Sequence, residues 1–448
     1  MDGSVEEQGA APPLSIWQKI SFGSGDLGIS MTWGLATGYL LVYWSDVALL
    51  PVAALGPLML TVRVLDAIFD PLVGILVDRT RTRFGKARPY LLWAAIPFGL
   101  LSVAVFTVPP WSPSLKLIYA YATFISLGFC YSLLYIPYGA MLPMLARDRG
   151  EKVQLASFRS MGTSFASFLV YASAWPVIGL FGGDRQSGFT AIAAILGIVS
   201  ASVLIGITFR NCRERETMRQ TQTARVPLWR GFRQILANPV WRIACGITFL
   251  LLAKMFSLVS SFAYFSRDVL GDIAWMTRIL PFLSVVIMAG GFVASFFFRK
   301  IGIRSGNIGW LVVSIVLAAA MPLFEGRPWP YFTLFLASQF GGAFQAASIF
   351  ILSAEAIELQ RVQHGVRLEG LMTASVAFST KLGMAFGTAA TAFLLDFAHY
   401  VPGRHSAETA MAVSWLFYGS QILCMVLMIV CISFYRGDAG RSGTSKAA

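Results

Sequence analysis

Three charged residues, Arg63, Asp66 and Asp70, lie in VAALGPLMLTVRVLDAIFDPLVGILV (52–77), a stretch otherwise apolar enough to cross a bilayer. A charge near a bilayer centre costs about 2.5–3.5 kcal/mol on insertion scales, so charges that persist there face a bundle interior or a water-filled cavity and handle ions or substrate. On a helix turning about 100° per residue the three side chains share about 60° of arc, one above another, and can form one site. Two carboxylates in a low-dielectric cavity have a raised proton affinity and offer oxygen ligands to a hard cation, so the pair can take either a proton or a metal cation. Lys381 stands alone in TASVAFSTKLGMAFG (373–387), where an unpaired ammonium is expensive and a buried carboxylate is the expected partner.

The elements that must carry these charges are membrane helices. The chain of 448 residues is 56% hydrophobic and only 13% charged, with a mean hydropathy of +0.67; about 25% charged is usual for soluble domains. Runs such as YLLWAAIPFGLLSVAVFTVPP and AIAAILGIVSASVLIGITF reach the length needed to span a bilayer. The first apolar stretch follows an unbasic leader without a small-x-small cleavage site, so it is expected to be retained.

Twelve spans are expected: 17–45, 52–78, 89–109, 116–145, 155–181, 187–209, 241–266, 274–298, 307–324, 331–357, 370–396 and 409–435. They divide into a leader (1–16), a first six-helix half (17–209), a polar central loop (210–240), a second six-helix half (241–435) and a tail (436–448). Alternate loops are basic: Arg79, Arg81, Arg83, Lys86 and Arg88, then Arg147, Arg149 and Lys152, then Arg299, Lys300 and Arg304, then Arg361 and Arg367. Lys and Arg stay on the cytoplasmic side in short loops, so both termini are expected in the cytoplasm of a cell whose plasma membrane, a bacterial inner membrane, holds the chain. The same sidedness accounts for the net charge of +13, leaving nothing for a nucleic-acid partner to explain. The central loop, with Trp229 and Phe232 among arginines, reads as a solvated basic linker, the alternative being a segment lying on the anionic leaflet.

Cysteine and histidine suggest no further chemistry. Cys130, Cys212, Cys245, Cys424 and Cys431 have no Cys-x-x-Cys spacing, and His364, His399 and His405 fall in loops or at span ends. No cofactor is expected. A polytopic membrane enzyme such as an acyltransferase lacks support, because there is no His-x-x-x-x-Asp and no Cys/His cluster.

The residues DPLVGILVDRTRTRFGKARP (70–89), with Gly74, Asp78, Arg79, Gly85, Lys86 and Arg88, form the most specific motif of the chain. It resembles the loop between helices 2 and 3 of the major facilitator superfamily, in the variant of the glycoside-pentoside-hexuronide:cation symporters, to which melibiose permease belongs. The resemblance continues in KISFGSGDLG (19–28), YWSDV (43–47), RVLDAIFDP (63–71) and YIPYGAMLP (135–143). It implies an all-α membrane fold of twelve transmembrane helices in two halves, and cation-coupled symport by alternating access about a midplane site.

Carried over residue by residue, the cation site comprises Asp66 and Asp70 with the Ser132 hydroxyl and Lys381 nearby. Sodium-coupled members often have a polar residue before the second Asp, and here that position is Phe69. The lost oxygen ligand favours H+ over Na+ as coupling ion, with Na+ at Asp66 and Asp70 the alternative. Sugar-reading positions depart further: Ser30 and Tyr135 stand where melibiose-type members carry Asp, and Gly139 and Ala346 where they carry Trp. The remaining candidates are Asp26, Ser30, Trp33, Arg63, Tyr39, Tyr135, Tyr138, Arg159, Gln339 and Gln345. Arg159 matches an arginine beside the substrate and either grips an acidic sugar or pairs with Asp26 or a second-span carboxylate. Asp78, Arg79, Lys86 and Arg88 are expected to gate the cytoplasmic side with Glu355, Glu358, Arg361 and Glu369. Gly74 in the second span and the pairs Gly34/Gly38 and Gly383/Gly387 are expected to let neighbouring helices approach closely. The expected partners are a small sugar, glycoside or uronide and the lipid bilayer, the chain acting as a monomer. A lysolipid or other amphiphile is the alternative cargo on the same fold.

Overall fold

The computed structural model describes residues 13–146, 149–213, 228–364, 369–397, 400 and 407–435. The first half contains α1 (Ile16–Val42), continued by a π-helical turn Tyr43–Val47, then α2 (Val52–Arg79), α3 (Arg88–Val105), α4 (Pro113–Leu145), α5 (Arg149–Gly179) and α6 (Arg185–Val203), the last running on to Phe209. A short helix, α7 (Leu228–Ala237), leads to the second half: α8 (Pro239–Asp268), α9 (Trp275–Ile301), α10 (Ile303–Ala320), α11 (Pro328–His364), α12 (Glu369–Phe397), and α13 (Ala407–Ser414) joined through a π-helical turn to α14 (Ser420–Ser433). Leaving out the short α7 and counting α13 and α14 as one rod, these helices match the twelve expected spans. Nine of the described rods are long and apolar enough on their own to cross a membrane; α1, α9 and α12, with 27, 27 and 29 residues, match them in length.

Helix starts follow their capping residues. Ser15 and Gln18 form a capping box at α1, and the Asn238 side chain accepts from the Trp241 amide at the start of α8 while its amide group donates to the Ala356 carbonyl at 2.9 Å. Within the first half α1 packs on α5, and α3 lies between α4 and α6; in the second half α8 is the central rod, flanked by α11, α12 and α14. The halves meet along α2 with α12, α5 with α9, and α1 with α8.

Lipid gives helices no hydrophobic reason to associate, so contact depends on close packing and polar links. Gly383 and Gly387 do this as expected: a Cβ on Gly383 would run into the Phe249 carbonyl of α8, and one on Gly387 into that of Ala253. Gly34 and Gly38 are looser, with the nearest atoms 3.8 and 3.3 Å from a would-be Cβ. Gly74 corrects the expectation, because nothing among the described residues lies within 4 Å of its Cβ position, so no neighbouring helix closes on it. The last third of the central loop also differs from a simple solvated linker. It folds as α7, whose Ile235 is fully buried with Val240, Trp241, Leu352 and Tyr435 on the end of the second half.

Because each half crosses an even number of times, Ile16 and Ser433 lie on one face, here called the terminal face; Asp46 and Arg267 end up on the opposite, far face.

Candidate functional site

Two of the α2 charges, Arg63 and Asp66, are buried at mid-height as the insertion argument requires, and Asp70 is half-buried. Arg63 and Asp66 are 5% and 2% exposed and form an i, i+3 ion pair at 3.6 Å. Asp70, one turn further, accepts from the Ser132 hydroxyl of α4 at 2.8 Å and pairs with the Lys381 ammonium of α12. The four residues assigned to the cation site therefore converge, although the two carboxylates have different partners. Lys381 neutralises Asp70, and Arg63 neutralises Asp66.

Asp66 has one further property. Its Oδ1 is buried with no hydrogen-bond partner among the described residues, and it presses against α4 at Gly128, where any Cβ would collide with it. An orphaned carboxylate oxygen in a dry site fits a group that binds a proton or a small cation. Phe69 is turned to Phe129 of α4, ring centroids 5.1 Å apart, and supplies no oxygen.

Among the candidate substrate residues, Arg159 of α5 meets one of the partners expected for it: its Nε donates to Asp26 of α1 at 2.7 Å. Its guanidinium carbon also lies 4.9 Å from the ring centroids of both Tyr135 and Tyr138. Trp33 is stacked on Tyr131 at 4.1 Å and covered by Arg63 at 4.8 Å. The Tyr138 hydroxyl donates to the Phe22 carbonyl at 2.5 Å, which fixes its ring. Ser30 sits half-buried on α1. Tyr39 is fully buried against Tyr171 and Trp175. Two glutamines are not brought to this cluster: Gln345 is turned into the second half toward Asn307, at 3.5 Å, and Gln339 donates to Gln421 at 3.0 Å.

Of the expected gate residues, Arg88 donates to the Phe209 carbonyl at 2.5 Å and caps that ring, tying the start of α3 to the end of α6. Glu355 accepts from Tyr435 at 2.6 Å within the second half. Arg79 and Glu358 are exposed and Lys86 is half-buried on the terminal face. The side chains of Asp78, Arg361 and Glu369 lie outside the described residues.

A link that the sequence reading did not anticipate joins the halves at the far face. Arg267 at the end of α8 pairs with Asp46 after α1, bonds Tyr400, and is held by Asp268 at 2.9 and 3.0 Å. Beside it Ser45 and Tyr264 share a hydrogen bond of 2.8 Å, and Trp175 donates to the Met276 sulfur at 3.0 Å. The only signals for this were the charges in YWSDV and FSRDV, in ends expected to be poor in charge. Tyr131, Gly128 and Lys254 were also missed. Lys254 is 3% exposed in the middle of α8 beside Cys424, and the rule that singled out Arg63 would have found it.

A helical bundle that buries ion pairs at mid-height between its two halves has the geometry of a transporter, and sequence comparison supplies the lineage. The model of the family described as "MFS/sugar transport protein" matches residues 21–438. The chain belongs to that family. Among its relatives are the isoprimeverose transporter of Lactiplantibacillus pentosus, 29% identical over 97% of this chain and 93% of the relative, and a putative glycoside/cation symporter of Escherichia coli, 31% identical over 94% and 92%. These similarities agree with the glycoside-pentoside-hexuronide:cation symporter branch. In fold it is similar to a D-xylose-proton symporter, with a TM-score of 0.65 at 15% identity over 92% of this chain and 96% of the other. It is likewise similar to an inward-facing bacterial homologue of the lysosomal transporter Spinster, with a TM-score of 0.67 at 14% identity over 96% and 97%. The protein is a multi-pass membrane transporter, not an enzyme.

Proposed function

We propose that this family member is a proton-coupled symporter of an uncharged sugar or glycoside, acting as a monomer in a bacterial inner membrane with the terminal face in the cytoplasm. The observation that carries the choice of cargo is the Arg159–Asp26 pair at 2.7 Å. Both arginines of the site already hold an internal carboxylate, so an acidic sugar would have to displace one, while a neutral sugar leaves both pairs intact and can bond the half-buried Ser30 and Tyr135. Relatives named for isoprimeverose and for glycosides support a sugar cargo. Proton coupling is supported by Phe69, which turns away from the carboxylates and leaves a metal cation one ligand short.

In this reading a proton on the Asp66–Asp70 pair loosens the hold of Arg63 or Lys381. The halves then rock about the midplane, the far-face link around Arg267 opening as the terminal face closes. The gate roles of Asp78, Arg79, Lys86, Arg88, Glu355, Glu358, Arg361 and Glu369 belong to the same proposal.

One observation favours an amphiphile instead: a groove of about 670 Å³ between α1, α5 and α9, lined by Ile20, Leu27, Phe158, Phe165 and Phe168. Substrate-induced proton and sodium movement in proteoliposomes, across glycosides, uronates and lysolipids, separates the cargoes. Neutral glycosides should drive alkalinisation that disappears in Asp66→Asn. Movement driven by lysolipids alone, or by a sodium gradient at fixed pH, overturns the proposal.

A further inference from the structure

The two buried ion pairs of the first half are joined by a continuous column of flat groups. The Arg63 guanidinium of the Arg63–Asp66 pair lies over the Trp33 ring, 4.8 Å to the centroid. Trp33 stacks on Tyr131 at 4.1 Å with 16° between the planes, and Tyr131 stacks on Tyr135 at 5.2 Å and 14°. Tyr135 in turn faces the Arg159 guanidinium at 4.9 Å, and Arg159 holds Asp26. Three rings thus lie between two guanidinium planes, with a carboxylate at each end. Tyr131 is the middle ring, one residue before the Asp70 ligand Ser132 and one turn before Tyr135 on α4.

We infer that Tyr131 is a positioning residue through which loading of Asp66 sets the substrate-facing geometry of Tyr135 and Arg159. This rests on the proton-coupled reading above. Asp66 is the only described carboxylate that pairs with Arg63, so neutralising it leaves the guanidinium attracted chiefly by the Trp33 face. Near-parallel stacked rings have preferred offsets, so a change in tilt at Trp33 is passed to Tyr131 and from it to Tyr135. At the far end the Arg159–Asp26 pair fixes the last plane, so displacement appears as a change in the ring surface offered to a sugar. Such a link is an energetic coupling between two sites, and linkage makes it reciprocal: substrate on Tyr135 raises the proton affinity of Asp66 by the same factor.

The test is substrate affinity of purified protein in detergent, measured at pH 5.5 and pH 8, for wild type, Tyr131→Leu, Tyr131→Phe and Tyr135→Leu, with the melting temperature of each as a folding control. A 4-nitrophenyl glycoside series serves as probe. Wild type and Tyr131→Phe, which keeps the ring, should bind about 5- to 100-fold tighter at pH 5.5, the usual range of such couplings. Tyr131→Leu should bind with one affinity at both pH values, between the two wild-type values. Tyr135→Leu, which breaks the column one ring further along, should lose the pH ratio too and serves if Tyr131→Leu does not fold. A Tyr131→Leu or Tyr135→Leu protein that keeps the wild-type ratio overturns the inference alone. A wild-type protein whose affinity ignores pH overturns the proton-coupled reading and this inference with it.

Discussion

The halves of the molecule are bridged by ion pairs at two heights, and the two bridges are built differently. At mid-height Lys381 reaches Asp70 with a single serine hydroxyl in support. On the far face Arg267 meets Asp46, Asp268 and Tyr400 together, with Ser45 and Tyr264 bonded alongside. Under the proposed coupling, the contrast follows from what each would have to do. A bridge that a cation is to displace has to be nearly balanced, since a buried pair with every lone pair satisfied would outcompete the ion. One that holds a face shut gains from several charge-assisted bonds, each adding to the bias of the closed state.

The mid-height bridge should fail hardest when broken. Asp70→Asn leaves the Lys381 ammonium uncompensated and is expected to cost about 3 kcal/mol of stability, the scale of a buried pair that loses one partner. Denaturant or thermal unfolding in detergent checks this, and Lys381→Met added to Asp70→Asn should recover most of the loss. A double variant as unstable as the single would mean that Lys381 is not the group left uncompensated.

Gly128→Ala probes the same height without replacing a charged residue. Its methyl would push Asp66 Oδ1 off α4, and coupling-ion affinity should fall about 10-fold, as with groups that orient a ligand. Substrate binding in the absence of the ion should stay within twofold, about the size of an uncoupled change.

At the far face, Arg267→Ala should raise labelling of a cysteine placed at Ser45 by an external thiol reagent about tenfold, corresponding to about 1.4 kcal/mol of lost closed-state bias. Arg267→Lys keeps the charge but not the fork and should show a smaller rise. Unchanged labelling in Arg267→Ala would show that the link does not hold the face. The smallest effect is expected from Gln345→Leu, whose side chain points away from both bridges; its KM for substrate should stay within about twofold of wild type.

Much of this architecture was legible in the sequence because membrane insertion is a local constraint. Length and hydropathy are properties of neighbouring residues, and they gave twelve rods whose ends fall within about seven residues of the helix bounds. The mid-span charges announced themselves for the same reason, each being a cost that a single segment must bear. Within one helix the relation of Arg63 to Asp66 followed from the turn alone, and the DPLVGILVDRTRTRFGKARP motif and its companions supplied the family.

What the sequence left open concerned partners on different rods. Whether Arg159 meets a substrate or Asp26 depends on how α5 lies against α1. Gln345 has the polarity of a pocket residue, yet α11 turns it toward Asn307. Gly74 carries no mark that no neighbouring helix of the described residues will close on it, and nothing about Gly128 says that Asp66 will fill the space it leaves. Nor do Asp46 and Arg267, 221 positions apart, reveal that their helix ends converge. Hydropathy and helical period fix what each rod presents, but rotation about the rod axis and the choice of neighbour are decided by packing among all twelve. Only the tertiary structure could make that choice.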